Sequence, residues 1–146
     1  MTIIARRRLF VVLAGLVAML CMGMGGTTST DMVKRIPQPD RSFTVYVVDV
    51  EDVSYVVEDF SVDGMTMVPV FIGRAEASID FANVSSVAFI HSGKKLVASV
   101  SFRDGDEREV TVNPDTQFYG RVKWGLMRLA ARDIRSLTFR GTGANE

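Results

Sequence analysis

The 146-residue sequence predicts an all-β domain of about eight to ten short strands behind an N-terminal hydrophobic helix. Three observations carry this. From residue 42 onward, runs rich in Val, Ile, Phe and Thr alternate apolar with polar positions, as half-buried strands do. Turn residues such as Asp63-Gly64, Asp104-Gly105 and Asn113-Pro114-Asp115 break these runs every eight to twelve positions. The first thirty residues have a different composition altogether, an uncharged apolar stretch behind three arginines.

That leader comes first in chain order. Arg6-Arg7-Arg8 precedes an apolar run over 9–24, and no charge appears between Arg8 and Asp31. A positive start, an apolar centre and small residues after it form the pattern of a secretory signal. Residues 1–26 therefore read as a signal peptide or membrane anchor, with Gly23-Met24-Gly25 as the small-residue cleavage site. Three variants stay open: an uncleaved anchor, lipidation at Cys21 and a twin-arginine signal at Arg7-Arg8. Each places the domain outside the cytoplasm, in the periplasm, on the cell surface or secreted. Residues 27–41, with Pro37 and Pro39 and no period, read as a flexible tether.

The body follows over 42–140, with 141–146 as a disordered tail. Thr44-Val45-Tyr46-Val47-Val48 opens it, and strands are expected at 54–62, 66–72, 75–81, 84–90, 96–103, 107–113, 117–124, 126–130 and 134–140. Pro69 lacks an N–H, so its strand belongs on an edge or at a bulge. Residues 126–134 also carry apolar residues at helical spacing, which leaves a short helix as the alternative there.

The two halves of the body resemble each other. Val84-Ser85-Ser86-Val87-Ala88-Phe89 aligns with Ile134-Arg135-Ser136-Leu137-Thr138-Phe139 at an offset of 50. With a small gap, Val48-Asp49-Val50-Glu51-Asp52 answers Val100-Ser101-Phe102-Arg103-Asp104. The pattern suggests repeats at 43–90 and 96–140. Two duplicated five-stranded units of SH3-like or Sm-like size, or one closed barrel, would satisfy it. The closing Ile-x-Ser-Leu-x-Phe strand resembles small β-repeats common in uncharacterised bacterial envelope proteins. That resemblance covers only 42–140 and implies no activity.

Charge and chemistry narrow the function. Setting aside the three leader arginines leaves 14 basic against 17 acidic residues, a mildly acidic domain with no electrostatic reason to bind nucleic acid. The single cysteine, Cys21, lies in the leader, and the single histidine, His91, stands at a strand end before Ser92-Gly93, where it reads as a solvated loop residue. A His/Cys metal cage, a Gly-x-Ser-x-Gly elbow and a phosphate-binding glycine loop are all missing from the sequence. No cofactor is implied. The acids at Asp104, Asp106, Glu107 and Glu109 read as a turn before a calcium loop, and Asp49, Glu51 and Asp52 as a solvated strand end.

Aromatic residues give the best hint of a surface. Strand parity puts Phe118, Gly120, Val122 and Trp124 on one face, and Tyr119, Arg121 and Lys123 on the other. The first set reads as core. The candidate ligand-binding residues are Tyr119, Trp124 and Arg121, as an aromatic and cationic platform for a sugar or peptide. The leading expectation is an exported, non-enzymatic domain that binds a protein partner at the cell envelope, meeting the membrane only through its N-terminal segment. A carbohydrate- or small-ligand-binding module is the alternative, and a carboxylate-only hydrolase a weaker third.

Overall fold

A computed structural model describes residues 33–141. The hydrophobic leader, Cys21 and the end of the tail lie outside the described residues. Ten strands form: β1 (Val45–Asp49), β2 (Ser54–Val62), β3 (Met67–Ile72), β4 (Ala75–Asp80), β5 (Val84–Ser92), β6 (Lys95–Phe102), β7 (Glu107–Val112), β8 (Gln117–Val122), β9 (Gly125–Ala130) and β10 (Ile134–Phe139). One-turn 3-10 helices at Phe81–Asn83 and Ala131–Asp133 precede β5 and β10. The helical alternative at 126–134 is thereby corrected. Residues 125–130 pair in register with β8 from Gly125 to Ala130, and the good helix formers there yield to tertiary pairing.

All neighbours run antiparallel in a single curled sheet of order β4-β3-β7-β6-β5-β10-β1-β2-β8-β9. β4 and β9 are its edges, so the described sheet is open and not a closed barrel. The order reads identically from either end once each strand number is shifted by five. Contiguous chain halves are therefore not the spatial halves. β1 and β2 are completed by β8, β9 and β10, while β6 and β7 are completed by β3, β4 and β5.

Matching ladders fix the correspondence. The pair Val45↔Phe139 is answered by Ala98↔Phe89, so Phe139 maps back at an offset of 50 and Val45 maps forward at 53. Matching backbone bonds agree: Val50 N–H to Asp133 O and Arg103 N–H to Asn83 O, each 2.9 Å. Asp49 consequently corresponds to Phe102, one residue beyond the Ser101 that the sequence alignment gave. A one-residue slip of this kind would turn every side chain to the other face.

Alternation builds the core. Val45 and Val47 are fully buried while Tyr46 between them is exposed. At the centre Phe60 stacks on Phe118 at 5.1 Å between ring centroids and meets Phe139 edge-on at 6.0 Å, with Phe43 and Phe81 packed beside them. Aromatic pairs in these offset and T-shaped arrangements add to the burial of their large areas. An internal void of about 10 Å3 among the described residues is lined wholly by apolar side chains.

Pro69 lies one strand in from the edge, so of the two places expected for its strand, an edge or a bulge, the edge is corrected. β3 pairs with β4 along its whole length, but with β7 it registers only at Phe71↔Thr111. Proline is tolerated because the ladder on that side has already lapsed.

Two of the residues before β1 are tied to the sheet. Arg41 donates from Nε to Thr66 Oγ1 at 2.9 Å and from Nη2 to Asp80 at 2.8 Å, and Thr66 donates to Asp40 at 2.8 Å. Gly64, at φ +85°, turns under this segment, where a Cβ would lie 3.1 Å from the Gln38 carbonyl oxygen.

Candidate functional site

The hairpin of β8 and β9 carries all three residues expected to bind a ligand. Phe118, Gly120 and Val122 point inward and are buried. Tyr119, half-buried, and Arg121, exposed, stand on the outer face two positions apart, about 7 Å along the strand. Trp124 was expected on the inner face. It sits instead in the Lys123-Trp124 turn and is 76% exposed. Strand parity ends where the chain reverses, so the indole is released from the core. Tyr119 and Arg121 thus share a face, and Trp124 stands at the tip just beyond them.

A glycine lets this hairpin lie so close to β2. At Gly120 a Cβ would fall 2.1 Å from Val57 Cγ1 and 2.9 Å from the Glu58 carbonyl oxygen, so no side chain fits. Glu58 pairs with Arg121, but the register then shifts and Ser61 pairs with Tyr119. The extra residue is accommodated at Asp59, whose φ is +51°. This bulge aims the Asp59 carboxylate at Arg121, with which it forms an ion pair, while Ser42 donates to its other oxygen at 2.9 Å. Partial burial raises the Asp59 pKa, yet the Arg121 and Ser42 hydrogen bonds outweigh it and hold the carboxyl below its ordinary value. Arg121 is therefore a positioned cation, still half exposed. Sequence reasoning missed Asp59. Its only signal was an Asp within a β-rich run, one of the non-glycine residue types enriched at positive φ.

The other polar groups have structural roles. Asp49 is buried, contrary to the solvated strand end expected for it. Its Oδ1 accepts from the Glu51 and Val53 amides, each at 2.9 Å, and its Oδ2 from the Tyr55 hydroxyl at 2.7 Å. The Tyr55 hydrogen bond, followed by those amides, lowers the Asp49 pKa and raises that of Tyr55. His91 belongs to β5, correcting its placement in a connector. Its Nε2 lies 2.9 Å from the Arg132 carbonyl oxygen, so that nitrogen carries the proton and donates. Asp104 accepts from the Asp106 amide at 3.0 Å beside Gly105 at φ +98°, which is a turn. Among the described residues no group of three or more His, Cys, Asp or Glu could hold a metal ion.

Residues 39–142 match a protein-family model described as "Uncharacterised protein". The chain belongs to that family. The match spans every strand of the sheet and leaves out the hydrophobic leader. No curated protein and no solved structure matches the chain.

Proposed function

We propose that the chain is an exported, non-enzymatic binding domain whose β8–β9 hairpin engages a protein partner at the cell envelope. One observation carries the reading: Trp124 stands 76% exposed at a hairpin tip beyond the Arg121–Asp59 pair and Tyr119. Tryptophan, tyrosine and arginine are the residues that most often dominate binding energy at protein interfaces. A large indole left in water by a sheet that buries six phenylalanines is best accounted for by burial against something else. The leader of residues 1–26 supports delivery out of the cytoplasm. The interleaved five-strand groups we take as duplicated SH3- or Sm-like units.

The test replaces Trp124 with a photoreactive phenylalanine analogue in the full chain, expressed in envelope-bearing cells. The expected result is one discrete protein adduct on illumination, lost when Arg121→Glu is added. The same probe at exposed Glu109 serves as the control, and equal labelling from both positions, or none from position 124, removes the reading. A carbohydrate ligand is the second reading, since exposed aromatics also stack on sugars. Trp124 is the only tryptophan, so glycan titration must change its fluorescence if that reading holds.

A further inference from the structure

We propose, on the reading of the β8–β9 hairpin as a binding element, that its partner is a second copy of this chain, whose β3–β4 hairpin receives Trp124 in a hollow on its outer face. The hollow measures about 310 Å3 and is lined by Pro69, Val70 and Phe71 of β3 and by Glu76, Ala77 and Ser78 of β4. Pro69, Phe71, Glu76 and Ser78 have the strand parity opposite to buried Val68, Val70 and Ile79, so their side chains stand on the outer face. Phe71 is 40% exposed there, in a sheet that buries six other phenylalanines. Pockets that take a whole small molecule begin at about 300 Å3, so there is room for one indole. An exposed ring beside a proline and a serine hydroxyl lets an indole stack while its N–H finds an acceptor.

Charge sets which surfaces meet. Lys123 precedes Trp124 at the tip, and Glu76 lies directly across the ladder from Phe71 in the hollow. Among the described residues neither Lys123 nor Glu76 takes part in an ion pair. Seating the indole against Phe71 brings Lys123 within reach of Glu76. Tip against tip would set lysine against lysine, and hollow against hollow leaves both unfilled. Complementary charges of this kind fix register and exclude wrong pairings more than they add affinity. The two hairpins are equivalents at the repeat offset of 50, yet Arg74 stands where the other has Trp124, and Arg121 and Leu126 stand where the hollow has Phe71 and Glu76. One hairpin therefore inserts and the other receives. Trp124 is 76% exposed within one copy, so its own hollow does not cover it. A contact between two different surfaces is heterologous and builds rings or filaments.

The test co-expresses two differently tagged full-length forms, the first with a photoreactive phenylalanine analogue in place of Trp124 and the second unaltered. Illumination is expected to join the two tags, with the cross-link mapping by peptide mass spectrometry to residues 69–78 of the second form. Lys123→Glu on the first form should lower the yield about fivefold, and Glu76→Lys on the second should restore it. An adduct between copies that maps elsewhere, or one indifferent to both charge changes, overturns the proposal. An adduct only with a different protein overturns it while leaving the hairpin its binding role, and no adduct from position 124 removes both.

Discussion

The two interleaved halves of the sheet share one topology and differ in chemistry. Across the outer face of the half built on β6 and β7, Ile90, Val97, Thr111 and Phe71 follow one another through the ladders. The corresponding positions in the half built on β1 and β2 are Arg140, Thr44, Glu58 and Arg121. Inside, the half built on β1 and β2 has Phe118 where the other has Val68, and its Phe60 has no counterpart, while Phe81 of the half built on β6 and β7 answers Ala131. The cause is local. The offset is 53 before the β2–β3 turn and 50 after it, so β2 carries three residues more than β7. Those residues supply Phe60 and the bulge at Asp59. One short length difference thus gives the half built on β1 and β2 both Phe60 and its pre-set cation, with no match for either in the other half.

The largest expected effect tests where the centre lies. Phe60→Ala should cost about 3–5 kcal/mol in urea unfolding, and a loss below about 1 kcal/mol would remove Phe60 from the centre. Next is Gly120, whose counterpart is Val70, a buried valine. Gly120→Ala should destabilise by about 1–3 kcal/mol through its clash with Val57, and Val57→Ala should recover part of that loss. No recovery would mean that the backbone of β2, and not the valine, sets the spacing.

Acid should act more gently. Asp40, Asp49, Asp59 and Asp80 all have pKa values lowered in the fold from an ordinary 3.8. A lowered folded value means stability that is present above 3.8 and is lost as pH falls below it toward the folded values. Asp49 corresponds to Phe102, but the β6–β7 turn has a carboxylate acceptor of its own, Asp104 on the Asp106 amide. Below 3.8 the Glu51 and Val53 amides should lose hydrogen-exchange protection, and Asp49→Asn should flatten the dependence. Unchanged protection of these two amides would assign acid sensitivity elsewhere. The smallest effect is at the hairpin tip, where Trp124→Ala should change stability by no more than about 0.5 kcal/mol.

Period and punctuation made most of this legible. The ten strands fall close to the runs read from the sequence, because alternation and turn residues are local properties. The closing strands β5 and β10 could be aligned because both keep Ser and Phe at matching positions. The strand order could not be read, since nothing in β3 says that its neighbour is β7 and not β2. The site was half legible. Tyr119 and Arg121 fell on the outer face as parity required. Trp124 was misplaced because parity was carried two residues into a turn. Asp59 and Asp49 were missed because their roles come from a bulge and a buried turn, features set by pairing and not by composition.

Interleaving also has a kinetic meaning. The chain emerges N-terminus first, and its first sixty described residues supply β1 to β5, yet neither spatial half can close on those alone. β2 waits for β8, and β3 for β7. Contacts this distant in sequence slow folding, so the two stretches should assemble as one cooperative event. A chain cut at Gly93 should then regain its structure only when both pieces are mixed.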